Sequence, residues 1–230
     1  MKREDPRDVL VTKKSLKPMT LDELPSGSVI GTSSVRRTAQ LARHYPHLKV
    51  LDVRGNIETR LSKLDAEDGP FTCLILAAAG LLRTGHGPRI TQFLDSKNGK
   101  MLHAVGQGAL GVEIRVDDEK MAHMLQEIGD EKTTLACLAE RSLLRKLEGG
   151  CSAPLGVETE WVKDESGKEL LRFRSIVTSV DGKEAAEIER DGDIKTKAEA
   201  EEFGIAVAEE LSDKGAKKIL DFIQQNKKLW

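Results

Sequence analysis

Aromatic residues are scarce: five Phe, two Trp and one Tyr make up 3% of the 230 residues. Proteins that hold single-stranded nucleic acid stack bases on aromatic rings, so this chain is a poor candidate for that class. Excess charge is missing too. Lys+Arg number 36 against 38 Asp+Glu, a net charge of −2, so no global field draws in nucleic acid or an anionic membrane and any anion site must be local. The longest apolar run, Cys73 to Leu82, falls far short of the roughly 20 residues that span a bilayer. No signal-peptide pattern opens the chain, which reads as soluble and cytoplasmic with no membrane or nucleic-acid partner. Three cysteines without CxxC spacing exclude a disulfide framework and fit a reducing compartment. The five histidines, at 44, 47, 86, 103 and 123, show no ligand spacing, and no acidic cluster forms a cage, so no metal is expected.

What is present begins with alternating periodicity. β-branched runs at Ser28–Gly31, Lys49–Val53 and Thr72–Ala78 enclose helical patterns at Ser34–Arg43 and Ile57–Leu64. This is a βαβαβ pattern, and it predicts a parallel sheet with covering helices. "GALGVEIRVDD" predicts a further strand. The helical stretch that follows from Asp130 places Leu135, Leu138, Ala139, Leu143 and Leu147 on one face, with Asp130 as N-cap and Gly149 as the stop. Beyond it come strand-like runs separated by Glu165-Ser166-Gly167 and Asp181-Gly182 turns, then two helices, about Lys197–Leu211 and Lys214–Gln225. A second, smaller α+β domain is expected from about residue 130. The opening residues, "MKREDPRDVLV", read as a charged connector leading directly into a strand.

Arginines follow three successive strands. "GTSSVRR" sets Ser34, Arg36 and Arg37 at the start of a helix, where free N–H groups and the positive dipole end favour an anion. Alone, an ordinary N-cap with solvated arginines explains it. The next strand leads into "DVRGN" with Arg54, then "TRLSK" with Arg60 and Lys63, and the third into "AAAGLLR" with Arg83. Ligands of open α/β sheets bind outside the carboxyl ends of the strands. The pattern points to a polyanion held there through several carboxylates or phosphates. "GQGALG" matches the GxGxxG dinucleotide fingerprint in letters only, since a strand-like run rather than a helix follows; a tight turn with closely approaching backbones is expected instead.

Cys73 in a buried-strand pattern and Cys137 on a helix read as small hydrophobes. Cys151 differs, standing in the loop "LEGGCSAPLG" after a helix. A helix C-terminus does not lower a thiol pKa, so a hyperacidic redox thiol is disfavoured. A soft sulfur on a loop suits a durable thioether to a carbon electrophile.

With these residues assembled, the chain resembles the porphobilinogen deaminase (hydroxymethylbilane synthase) family. The matching stretches are "REDPRD", "GTSSVRR", "VRGNIETRLSKLD", "LAAAGLLR", "AVGQGALGVEIR", "AERSLLRKLEGGCSAPLG" and "LSDKGAKKIL", in one order from residue 3 to about 220. The resemblance implies a transferase of haem biosynthesis that joins four porphobilinogen units head to tail on a dipyrromethane cofactor, losing ammonia at each addition and releasing hydroxymethylbilane. It implies that Cys151 carries this cofactor as a thioether. It assigns Ser34, Arg36, Arg37 and Arg54 to the cofactor, and Arg36, Arg54, Arg60 and Arg83 to substrate carboxylates. Gln107 and Gly108 receive only a structural role.

The implied fold is a type II periplasmic-binding-protein-like α/β domain plus a smaller C-terminal α+β domain with a three-stranded antiparallel sheet. Residues 1–7 would be a hinge, 8–102 domain two, 103–125 a segment returning to an incomplete domain one, and 126–230 domain three. Family members carry further polypeptide upstream, including the aspartate that stabilises the cation formed on deamination. "KSLKPMTLDELP" aligns with a later family segment, so no catalytic role passes to Asp22 and the catalytic residue is unassigned. The expected partners are porphobilinogen and a missing N-terminal portion, with a monomer otherwise. Two further readings stay open on sequence: a non-catalytic anion-binding protein with an inert Cys151, and a cysteine-dependent hydrolase.

Overall fold

The computed structural model describes residues 1–147 and 153–226. Its first unit is built around β1 (Asp8–Thr12), β2 (Val29–Gly31), β3 (Lys49–Leu51), β4 (Cys73–Ala77) and β5 (Gln92–Leu94), in the order β3-β2-β4-β1-β5. Between them run α1 (Val35–His44), α2 (Ile57–Asp65) and α3 (Ala78–Arg83). The expected parallel sheet holds for β3, β2 and β4. On the other side of β4 the sheet continues through β1, antiparallel to both β4 and β5, a direction the βαβαβ pattern does not address. The sheet is mixed: the connection from β1 to β2 holds only a short 3-10 turn at Leu21–Glu23 rather than a crossover helix, and β1 runs against β4.

β1 and β4 are buried on both faces, which is why "DVLVT" and "CLILA" run apolar without alternation. Successive side chains still go to opposite sides. Leu10, Cys73 and Ile75 join Leu41 and Tyr45 in the core on one face, while Val9, Val11, Leu74 and Leu76 join Leu61, Leu64 and Leu81 on the other.

The second unit is a three-stranded antiparallel sheet of β6 (Leu155–Lys163), β7 (Glu169–Thr178) and β8 (Ala185–Gly192). α5 (Glu131–Lys146) and α6 (Lys197–Asp213) pack on it, and α7 (Ala216–Gln225) closes it. The apolar face read from the sequence is present, and Asp130 Oδ1 caps α5 by accepting from Thr133 N at 2.8 Å. The predicted stop at Gly149 lies outside the described residues. α5 and α6 cross at a glycine: a Cβ on Gly204 would stand 2.2 Å from the Ala139 carbonyl oxygen.

Two segments join the units. Residues 3–8 run beside residues 103–108, with Glu4 N donating to Gly108 O at 3.0 Å. The expected tight approach at GQG is here: Gly106 and Gly108 have φ of +68° and +81°, and a Cβ on Gly108 would meet Glu4 O at 2.4 Å. His103 bridges to Val157 of β6, and the Gln40 amide clamps both backbone groups of Leu102, accepting from its N–H at 2.8 Å and donating to its carbonyl at 3.0 Å.

The strand predicted over "GALGVEIRVDD" does not form. Its alternating Leu110, Val112, Ile114 and Val116 are all exposed, and no neighbouring strand offers it a ladder among the described residues. α4 (Glu119–Ile128), which follows, contains no buried residue. No described helix is long and apolar enough to cross a membrane.

Candidate functional site

β2 and β3 end side by side, and their carboxyl ends carry the site. Gly31 is closely packed: a Cβ there would fall 2.3 Å from Leu74 Cδ2, so that side chain would have to shift. The chain then turns through Thr32 and Ser33 to Ser34, whose hydroxyl caps α1 by accepting from Arg37 N at 3.4 Å. After β3, Gly55 at φ +123° lets the chain turn back, and Asn56 caps α2 through Thr59 N at 2.8 Å.

The predicted arginines separate into two sets. Arg36 and Arg37 are buried, 6% and 8% exposed, and both reach Asp8, which is fully buried. Arg36 Nη1 donates to Asp8 Oδ2 at 2.6 Å and to the Leu102 carbonyl at 2.6 Å. Arg37 Nη2 donates to Asp8 Oδ1 at 2.7 Å, and its Nη1 to the Ile75 carbonyl at 2.7 Å. Gln107 Nε2 adds a third donor to Asp8, at 2.9 Å. Burial alone would raise the Asp8 carboxyl, but the two guanidinium charges and their hydrogen bonds hold it well below the usual carboxylate range. One carboxylate thus offsets one of the two guanidinium charges, leaving the group with a net positive charge.

Arg54 and Arg60 face outward. Arg54 is exposed and its Nε reaches Asp52 Oδ2 at 2.9 Å, while Arg60 is half-buried and its Nε donates to the Gly55 carbonyl at 2.7 Å. Burial, then the charge of Arg37, lowers the Arg60 pKa, which places the two guanidiniums in each other's field. Ser33 joins the group, donating to the Val53 carbonyl at 2.6 Å, and Lys63 Nζ donates to the Arg54 carbonyl at 3.0 Å. Ser34, Arg37, Arg54 and Arg60 are thus brought to one sheet end. Arg83 ends α3 exposed and makes no hydrogen bond to that group among the described residues. Cys151 lies outside the described residues.

Asp8 and Glu140 escaped assignment on sequence, while Gln107 was given only a structural role. Asp8 opens an apolar strand, and a carboxylate at the head of "VLV" needs buried partners, which was the available signal. Glu140 sits on the packed side of α5, where it accepts from Arg3 Nη1 at 2.7 Å, Gly106 N at 2.7 Å and Thr159 Oγ1 at 2.6 Å. It ties the opening connector, the return segment and β6 together. Gln107 does the same at the other end, since its amide also donates to the Pro6 carbonyl at 2.7 Å. Asp22, to which no role was transferred, accepts from the Tyr45 hydroxyl at 3.0 Å, and burial and Asp22 push that hydroxyl up to about 12. Tyr45 follows the far end of α1, about 16–17 Å from Ser34 at the 1.5 Å rise per residue of a helix. Cys73 is buried with its thiol pushed up to about 12 by desolvation, as an inert core residue should be.

Comparison with known proteins bears on the same residues. The family model described as "Porphobilinogen deaminase, dipyromethane cofactor binding domain" matches residues 1–123, and that of the "Porphobilinogen deaminase, C-terminal domain" matches residues 134–213. Curated porphobilinogen deaminases from Neurospora crassa, Yarrowia lipolytica and Saccharomyces cerevisiae are 53%, 54% and 52% identical over 98%, 96% and 96% of this chain. The chain spans 67%, 63% and 67% of those relatives' own lengths. A sheet end lined with arginines, a buried carboxylate locking two of them, and similarity that runs through both structural units lead to one assignment: the chain belongs to the porphobilinogen deaminase family.

Proposed function

We propose that this chain carries the cofactor loop and carboxylate-binding arginines of a porphobilinogen deaminase. In this reading porphobilinogen units are joined head to tail with loss of ammonia, and water then releases the linear tetrapyrrole. The observation that carries it is the grouping of Arg37, Arg54 and Arg60 at the adjoining ends of β2 and β3. Each pyrrole of such a chain bears two carboxylates, and guanidinium groups bind carboxylates in fixed, often bidentate geometry.

The donor set suits a dipyrromethane group: guanidiniums and serine hydroxyls grouped at one sheet end are the partners its acidic side chains call for. Cys151 would hold it as a thioether, with Ser34, Arg36, Arg37 and Arg54 on its carboxylates. When bound, it supplies the free pyrrole α-carbon to which the first substrate ring is joined. Arg60 and Arg83 would orient the incoming substrate so that its aminomethyl carbon meets that position, which lowers the entropic part of the barrier. Asp8 acts behind them by fixing Arg36 and Arg37.

The same proposal covers domains and partners. Residues 1–7 are the hinge, 8–102 the binding domain, 103–125 a returning segment and 126–230 the cofactor-bearing domain. The exposed Leu110, Val112 and Ile114 would pair with polypeptide corresponding to the relatives' additional length, the protein otherwise being a cytoplasmic monomer.

The test is intact mass under denaturing conditions, on this chain expressed with and without the relatives' additional segment. Excess mass of two linked pyrroles, lost in Cys151→Ser, together with porphobilinogen consumption, is the expected result. An unmodified Cys151 in both preparations and no turnover would overturn the proposal.

A further inference from the structure

Two aspartates pair with the arginines of the sheet end, and they hold them differently. Asp8 is fully buried and takes Arg36 and Arg37 at 2.6 and 2.7 Å, with Gln107 as a third donor. Asp52, the first residue of "DVRGN", stands just after β3 and shortly before Arg54. Its side chain is 57% exposed and that of Arg54 80%, and one contact joins them, Arg54 Nε to Asp52 Oδ2 at 2.9 Å. On the second sheet, by contrast, Arg172 grips Asp191 with both prongs, donating through Nε at 2.8 Å and Nη2 at 2.7 Å. The Nη groups of Arg54 make no hydrogen bond among the described residues.

The Asp52 pairing is therefore easily exchanged. An exposed ion pair is only marginally stabilising, and a guanidinium held at one edge can turn to a carboxylate that takes two of its N–H groups. Asp52 is nevertheless seated by the cluster. The hydrogen bond from Arg54, with the Ser33 hydroxyl and the charges of Arg54 and Arg60 behind it, holds its carboxyl below the ordinary value against the effect of burial. It lies outside β3 and caps no helix, so secondary structure gives it no other role.

We infer that Asp52 is a placeholder for the ligand: it occupies Arg54 in the free protein, an incoming carboxylate displaces it, and it retakes the guanidinium when that carboxylate leaves. Asp52 thus acts through Arg54, as a positioning residue. The inference rests on the reading that Arg54 takes ligand carboxylates. A chain that grows by one pyrrole at a time brings new carboxylates to a fixed set of arginines, so each contact has to be handed on. A carboxylate of the protein within reach gives Arg54 a partner during the exchange and keeps any one contact from becoming too tight to release. Asp8, buried and bound to two guanidiniums, is fixed where Asp52 is free to leave.

Tricarballylate, a linear tricarboxylate, is the probe, titrated at low ionic strength into the parent chain, Asp52→Asn, Arg54→Ala and the double variant, with binding read from magnetic resonance shifts. Asp52→Asn should bind about two- to fivefold more tightly, the worth of an exposed ion pair that no longer has to be broken, at an unchanged urea midpoint. Arg54→Ala should bind at least about tenfold more weakly. Adding Asp52→Asn to it should then change affinity by less than about 1.5-fold, because the two residues act as a pair. In the parent, saturating probe should raise the Asp52 carboxyl pKa, followed at its carboxyl carbon, since Arg54 has left it. Equal or weaker binding by Asp52→Asn, or an unmoved Asp52 titration, would overturn the inference while leaving the arginine cluster as a carboxylate site. The same gain with and without Arg54 would show that Asp52 only repels anions, and would overturn it too. Binding indifferent to Arg54→Ala would remove the underlying reading and the inference with it.

Discussion

Arg36 and Arg37 on one side, and Arg54 and Arg60 on the other, follow adjacent parallel strands and read alike in sequence, yet they stand in opposite surroundings. The first two are buried on a fully buried aspartate; Arg54 stands in solvent and Arg60 half so. A site for a polycarboxylate needs both kinds. Exposed guanidiniums can exchange water for ligand carboxylates at little cost, but long side chains wander. The buried pair anchors the start of α1 rigidly, so the loops carrying the exposed pair have a fixed base.

The sharpest way to break this division is to remove the shared carboxylate. Asp8→Ala leaves two buried guanidiniums without their counter-charge, and breaking such a pair costs about 3–5 kcal/mol. The urea midpoint should fall accordingly, while Arg54→Ala, which removes a pair exposed at both partners, should stay within about 0.5 kcal/mol of the parent. Equal losses in the two variants would mean that the buried set is no more structural than the exposed one.

A smaller effect tests whether α1 is held at its other end. The β7–β8 turn rests on that end: a Cβ on Gly182 would stand 2.4 Å from Arg43 N, and the glycine itself has φ +74°. Gly182→Ala should cost about 1–3 kcal/mol through overpacking and backbone strain. Its nuclear magnetic resonance spectrum should show shifts at Arg36 and Arg37 as well as at the turn. Shifts confined to the turn would show that the two ends of α1 are independent.

Much of this was legible in the sequence, for identifiable reasons. Period located α1, α2 and α5, with a cap legible at Ser34 and Asp130; the structure adds Asn56, and all three satisfy first-turn N–H groups locally. The antiparallel direction of β1 was not legible, since strand direction depends on distant pairing with β4. The strand over 110–116 was misread because alternation records a buried face, and that face has no partner among the described residues. The split among the arginines was hidden as well. Arg36 and Arg54 both follow strand ends, and only the position of Asp8 across the sheet decides which one is buried.

Smaller again is an acid response placed between the two buried carboxylates. His103 is buried with Nδ1 on the Ala104 carbonyl at 3.0 Å, and its Nε2 has no partner among the described residues. Burial, aided by the Arg3 and Arg36 charges, keeps its pKa below 6.5 despite the opposing influence of Glu140. The unfolded chain therefore takes up a proton as pH falls below about 6.5 and the folded chain does not, so stability declines on acidification by at most about 1.4 kcal/mol per pH unit. The lowered carboxyls of Asp8 and Glu140 act separately, their contributions being lost only below about pH 4. His103→Asn should flatten the urea midpoint between pH 7 and 5, leaving the slope due to half-buried His44. An unaltered slope would assign the whole response to His44 or to other groups.

The last test has the smallest effect on folding and the most specific effect on binding. Arg54→Ala and Arg60→Ala should leave the urea midpoint nearly unchanged, because neither guanidinium is the counter-charge of a buried group. Each should weaken binding of a linear polycarboxylate by about 1.5–3 kcal/mol, the worth of a hydrogen bond to a charged partner. Arg54→Lys keeps the charge but not the fork, so it should recover part of the loss if charge dominates and little if bidentate geometry does. Asp8→Ala, in contrast, should lower affinity and stability together. If Arg54→Ala and Arg60→Ala bind normally while Arg83→Ala does not, the ligand lies along α3, and the cluster at β2 and β3 is a structural feature of the sheet end.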